Sequence, residues 1–185
     1  MLARLLLRLA GWRVVIAPPP GPKGVLMVYP HTSNWDFPLG VLARSASGLG
    51  ISYVAKDSLF RPPFGVLFRW LGGIPVNRRV STGFIGQLVR RYAESERLFI
   101  AIAPEGTRGH VPQLKSGFYH LAVQAGVPLG LVFIDYGRRE LGIGAWLTLS
   151  GDAERDLAAI RDFYAGRQGK HPQNAGEIRF GEERG

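Results

Sequence analysis

Two residues, His31 and Asp36, stand five apart in the stretch Tyr29-Pro30-His31-Thr32-Ser33-Asn34-Trp35-Asp36-Phe37-Pro38. A carboxylate that accepts a proton from one imidazole nitrogen fixes the tautomer and leaves the other nitrogen free to act as a base. On one continuous helix the two side chains would lie about 140° apart. Pro38 is tolerated only in the first turn of a helix, so a helix starts at Asp36 or Phe37 and His31 lies before it. Across such a turn the two side chains can meet. The same residues also fit a plainer scheme, in which Asp36 is an N-cap or the acidic member of a capping box with Ser33, and His31 is an ordinary loop histidine.

Three further groups could serve chemistry. Glu105-Gly106-Thr107-Arg108 supplies a carboxylate, a residue that lets a ligand approach the backbone, a hydroxyl and a guanidinium. Gly72-Gly73 leads to Arg78, whose planar fork suits phosphate. Lys56 and Lys115 can add positive charge. Taken singly, each is equally a polar turn or a solvated surface group.

The elements that must position these groups follow from apolar patterning. Gly24 to Tyr29 is an apolar run that reads as a buried strand delivering His31. A helix runs from Phe37 to Ser47, and a strand over 51–55 leads to Lys56. A short aromatic helix, Phe64 to Leu71, precedes the Gly72-Gly73 segment, with core packing the expected role for Phe60 to Trp70. Ile85, Leu88, Val89 and Tyr92 recur on one face of a helix over 85–96. Leu98 to Ala103 is a strand buried on both faces, delivering Glu105. A helix over 116–125, strands over 128–136 and 141–150, and a capped helix over 152–164 complete the pattern. Strands alternating with helices predict an α/β fold with a mostly parallel central sheet flanked by helices, and a site at the strands' carboxyl ends.

The chain has 185 residues, a length suited to a single domain (1–185), with 46% hydrophobic and 20% charged content. The absence of cysteine excludes disulfides, thiolate metal sites and a cysteine nucleophile, and fits a cytoplasmic setting. A net charge of +9 calls for anionic partners. Nucleic acid is not expected, because the basic residues show no aromatic-interleaved motif. Residues 1–13 are expected to form an amphipathic helix; Arg4 and Arg8 interrupt its leucines well short of the roughly 20 residues that span a bilayer. They also break a secretory signal core. Such a helix suits either a membrane surface or packing on the domain. The polar, glycine-bearing residues 166–185 are expected to be a loose tail.

The ordered set His31-x4-Asp36, Gly73-Ile74-Pro75-Val76-Asn77-Arg78, Pro104-Glu105-Gly106-Thr107-Arg108 and Val127-Pro128-Leu129 resembles the four motif blocks of the glycerolipid acyltransferases, which include the glycerol-3-phosphate and 1-acylglycerol-3-phosphate acyltransferases. The similarity spans residues 24 to 136. It implies acyl transfer from a thioester, acyl-CoA or acyl carrier protein, to a hydroxyl of a lysophospholipid or glycerol-phosphate-like acceptor. His31 then matches the general base and Asp36 the group that orients it. Arg78, Glu105, Gly106, Thr107 and Arg108 match acceptor-binding positions, to which Lys115 adds charge, and Pro128 matches the donor side. No metal, cofactor or covalent intermediate is implied. The work would be done peripherally at the cytoplasmic face of an anionic inner membrane. Asn77 stands where an acidic residue is frequent, and Gly109 where serine is, which leaves the acceptor open. The competing schemes are a non-catalytic binder of anionic lipid and a hydrolase of acyl thioesters.

Overall fold

The computed structural model describes residues 2–76 and 83–181. Within them the chain runs α1 (Leu2–Leu9), β1 (Arg13–Ile16), β2 (Lys23–Val28), α2 (Asp36–Ser47), β3 (Ser52–Lys56), α3 (Gly65–Trp70), β4 (Gly73–Val76), α4 (Phe84–Glu94), β5 (Leu98–Ile102), α5 (Gly117–Ala125), β6 (Leu129–Asp135), β7 (Glu140–Leu147) and α6 (Ala153–Tyr164). One sheet holds the seven described strands in the order β1-β7-β6-β2-β5-β3-β4. All neighbours are parallel except the β6–β7 hairpin. This is the mostly parallel α/β sheet that the alternation of patterns predicts.

Strand periodicity assigns the two faces. Val25 and Met27 of β2, Ile100 of β5 and Leu129, Leu131 and Phe133 of β6 pack against Leu88, Phe118, Leu121 and Ile160 of α4, α5 and α6. Their neighbours in sequence, Leu26, Phe99, Val132 and Ile134, face the opposite side. There Leu7 of α1 and Leu39, Leu42 and Ala43 of α2 join Ile134 and Leu141. The carboxyl ends of the central strands β2, β5 and β6 therefore emerge together, between a thick three-helix layer and a thinner layer led by α2.

Three sequence expectations change. The Gly72-Gly73 stretch does more than lead to Arg78, for Gly73–Val76 is a strand paired in parallel with β3. Glycine and proline argue against a strand, yet β4 lies at the sheet edge, where Pro75 need not donate to a further neighbour. The Phe60 to Trp70 region is only partly core. Phe60 and Phe68 pack together and Phe68 meets Phe37, while Phe64, Val66, Leu67 and Trp70 are exposed. A six-residue helix has one inward face, and Gly65 already brings its backbone against the Phe60 carbonyl. Residues 166–181 are not loose: they cross the β2 and β5 loops through hydrogen bonds from or to Gln168, His171, Gln173, Asn174 and Gly176. Those bonds largely use backbone groups, which leave no mark on side-chain patterning.

At the other edge, β1 docks on β7 with Val15 opposite Gly142. Gly142 has φ +139°, and a Cβ there would stand 1.8 Å from the Val15 carbonyl oxygen. Gly142→Ala is expected to weaken this edge and cost about 3 kcal/mol. Thermal unfolding should read it as a fall of roughly 10 °C.

Candidate active site

His31 follows β2, and Asp36 is the first residue of α2. The turn between them folds back so that His31 Nδ1 lies 3.1 Å from Asp36 Oδ2. The contact has the distance of an ion pair but falls short of hydrogen-bond alignment. The Asp36 side chain is 2% exposed and that of His31 17%. A buried carboxylate must have partners, and Asp36 has two more: the Ser33 amide donates to Oδ2 at 2.9 Å, and the Tyr136 hydroxyl to Oδ1 at 2.7 Å. The Ser33 bond closes the turn as the acidic half of a capping box does, although the helix itself starts at Asp36 with Trp35 before it. The plainer scheme and the dyad are thus the same structure, since the carboxylate that ties the turn also faces the imidazole.

Burial by itself would raise the Asp36 carboxyl, but His31, Tyr136 and the Ser33 amide more than offset it and hold the group below the usual carboxylate range. An ionised Asp36 favours the proton on Nδ1 and leaves the other ring nitrogen as the acceptor. Tyr136 pays no role in the sequence motifs. Burial and then the neighbouring carboxylate hold its hydroxyl protonated, well above the ordinary phenol range, so it serves as a donor.

His31 and Asp36 line a cavity of about 650 Å³ that runs between α2 and the sheet. Its walls are largely apolar: Leu26, Val28, Ala101, Ala103, Val132 and Ile143 on the sheet side, with Gly40, Val41 and Ala43 on α2. Small residues on both walls keep the helix and sheet from filling the space between them. Gly106, Thr107, Arg108 and Lys56 also line it, at the ends of β5 and β3. Arg108 and Lys56 are exposed there, and the Lys115 side chain lies against Gly106. Among the described residues, no group of three histidine, aspartate or glutamate side chains converges as a metal site would require.

The structure thus gathers His31, Asp36, Gly106, Thr107, Arg108 and Lys115 at one end of the sheet. Arg78 lies outside the described residues. Glu105 does not point to the cavity: it is 2% exposed and accepts the His31 amide at Oε2, 2.6 Å, and the Gly176 amide at Oε1, 3.2 Å. Burial raises its carboxyl, an effect those two amides partly oppose. Tyr136 is the neighbour of Asp36 that the sequence does not announce, and its only signal is its place directly after β6, at the end of the span that carries the resemblance.

Comparison with known proteins gives a consistent picture. The family described as Acyltransferase matches residues 16–134. The chain is similar to the 1-acyl-sn-glycerol-3-phosphate acyltransferase of Haemophilus influenzae, 30% identical over 70% of this chain and 61% of that protein. It is also similar to the Escherichia coli protein of the same name, 34% identical over 54% of this chain and 42% of the other. The fold is shared with the crystal structure of the 1-acyl-sn-glycerophosphate (LPA) acyltransferase PlsC from Thermotoga maritima, with TM-score 0.54, 20% identity, and coverage of 91% of this chain and 78% of that one. The matched stretch therefore spans about 61% and 42% of the two curated relatives.

The Tyr136 hydroxyl can be tested through stability. Because the folded-state Asp36 carboxyl is depressed, its contribution is fully present above the unfolded carboxylate's pKa and is lost as pH falls through the folded value. Tyr136→Phe should cost about 1.5–3 kcal/mol at neutral pH, the worth of a hydrogen bond to a charged group. The gap from wild type should close below the ordinary carboxylate range. Denaturant titrations across pH check this, and a gap that is constant with pH would contradict it.

Proposed function

The chain belongs to the acyltransferase family, and from that premise we propose that it moves a fatty acyl group from a thioester to a hydroxyl of a lysophospholipid or glycerol-phosphate-like acceptor. One observation carries this: a half-buried histidine, faced by a buried carboxylate 3.1 Å away, opens on an apolar cavity whose rim is cationic. The acceptor hydroxyl gives its proton to the His31 nitrogen that faces away from Asp36, and its oxygen bonds to the thioester carbonyl carbon. When the carbon–sulfur bond breaks, the leaving thiolate takes that proton back. Asp36 stabilises the imidazolium between the two steps. A positioned base of this kind contributes on the order of 10²–10⁴-fold.

The apolar cavity suits the acyl chain, and Arg108 and Lys115, with Arg78 from its sequence position, suit the acceptor's phosphate. The names of the curated relatives support a glycerol-phosphate acceptor. The donor is acyl-CoA or acyl carrier protein, and the reaction as written needs no metal or other cofactor.

The direct test is purified protein with one acyl-CoA and a panel of lysophospholipids, glycerol-3-phosphate and unphosphorylated alcohols. Acyl esters should form with a phosphate-bearing acceptor. His31→Ala should reduce turnover at least about a hundredfold with unchanged thermal unfolding, and Asp36→Ala by less, since an unoriented imidazole is still a base. Thioester loss that ignores every acceptor would instead indicate hydrolysis, and near wild-type turnover in His31→Ala would sink the mechanism.

We further propose peripheral association with the cytoplasmic face of an anionic membrane. No helix among the described residues is long and apolar enough to cross one. α1 buries Ala3 and Leu7 but exposes Leu2, Leu5, Leu6 and Leu9 beside the exposed Arg4 and Arg8. The exposed Phe64, Val66, Leu67 and Trp70 of the α3 region, with the exposed Arg61 and Arg69 beside them, add a second patch of the same chemistry. Each basic residue near an anionic surface contributes about 1 kcal/mol. Sedimentation with anionic vesicles should be strong at low salt and weak at high salt. Leu5→Ser with Leu9→Ser, which spares the buried Leu7, should cut binding at least roughly tenfold. Unchanged binding by that double variant would remove α1 from the membrane contact.

A further inference from the structure

Residues 166–181 approach the catalytic turn from outside the family-matched region, and they do so closely. Gly169 and Gly176 are buried, and a Cβ on Gly169 would stand 2.5 Å from Thr32 Oγ1. The His171 amide donates to Thr32 Oγ1 at 3.1 Å, one residue from His31. The Asn174 side-chain amide donates to the Arg108 carbonyl at 3.1 Å, and the His110 ring nitrogen Nδ1 lies 3.2 Å from the Gln173 carbonyl. Gly176 is held from both sides, its carbonyl by the Tyr29 hydroxyl at 2.9 Å and its amide by Glu105. Phe180 closes the segment against Phe118 and Tyr119.

One side chain joins all of this. Glu105 stands on the β5 loop, takes the His31 backbone amide with one oxygen and the Gly176 amide with the other, and is removed from solvent. Both partners are donors, and a carboxylate accepts at both oxygens, so the ionised side chain takes one amide on each. We propose that Glu105 is a positioning residue, not an acceptor ligand, and that residues 166–181 form a strap which it locks across the His31 turn so that the imidazole is held at its working position. The inference rests on the acyl-transfer reading for its kinetic consequence, though not for its structural one. A displacement of about 1 Å in a reacting group can cost on the order of 10²-fold, and a backbone amide bond to a carboxylate is among the stronger restraints available.

Glu105→Gln keeps the size and one acceptor oxygen, and turns the other into a donor that cannot serve an amide. In the full chain it should lower kcat about tenfold or more while both KM values stay within about twofold. Backbone hydrogen exchange at His31 and across 169–176 should rise together. A rise in the acceptor's KM with kcat and exchange unchanged would return Glu105 to the acceptor site and overturn the proposal. Tyr29→Phe removes one of the two bonds on Gly176 and leaves both hydrogen bonds of Glu105 in place. It should raise exchange in the strap and lower kcat in the same direction, and its effect combined with Glu105→Gln should fall short of the product of the two. If Glu105→Gln does not fold, Tyr29→Phe decides alone: raised strap exchange with unchanged kcat overturns the proposal. The exchange measurement needs no substrate. If wild type shows no acyl transfer, the enzymatic reading fails, while coupled exchange at His31 and the strap still reports whether Glu105 locks them.

Discussion

A carboxylate taken out of water must be given back in full what water supplied. Two buried carboxylates answer to that condition on either side of one histidine, Asp36 more than fully and Glu105 in part. Asp36 faces the imidazole ring, while Glu105 holds the amide of the same residue. Both are almost wholly buried, and the groups that satisfy them are drawn from across the fold: Ser33 from the turn, Tyr136 from the end of β6, and Gly176 from the C-terminal segment. The geometry at His31 is therefore set by the cost of burying charge, and the loops around it are arranged as that cost demands.

The sheet makes such an arrangement possible. Parallel strands send their carboxyl ends in one direction, and β2, β5 and β6 lie side by side although far apart in sequence. The two layers of helix differ in how they meet this sheet. On the α4–α5–α6 side, large residues such as Phe118, Leu121 and Ile160 fill the interface. On the α2 side, Ala101 and Ala103 oppose Gly40 and Ala43, and the gap left open is the cavity. A filled face supplies stability, and the unfilled one leaves room for an occupant.

The fold was legible wherever a local rule carried it. Leu98 to Ala103 read as a doubly buried strand, and Pro38 placed the start of α2 at Asp36 or Phe37, which allowed His31 and Asp36 to meet across the turn without deciding between that and a plain helix cap. What stayed hidden depended on partners that the local pattern does not name. β4 is a strand because β3 lies beside it, against the advice of Gly73 and Pro75. Tyr136 reaches Asp36 across a separation of 100 residues. The strap is held through backbone groups of glycine and polar residues, so its composition resembles that of an unattached tail. Glu105 was recognisable as a motif residue, but which groups its oxygens accept was a matter of three-dimensional neighbours.

The pairing of β1 with β7 also bears on the order of assembly. Arg13 lies opposite Glu140, and Ile16 opposite Ile143. A ribosome must make nearly the whole sheet before the first strand has anything to pair with, and loop closure over so long a span is slow compared with local helix formation. Residues 13–16 are thus seated only after residues 140–143, made far later, are in place. Through that interval Leu7 of α1 has α2 to lie against but lacks Ile134 and Leu141, so part of its burial waits for the last strands of the sheet.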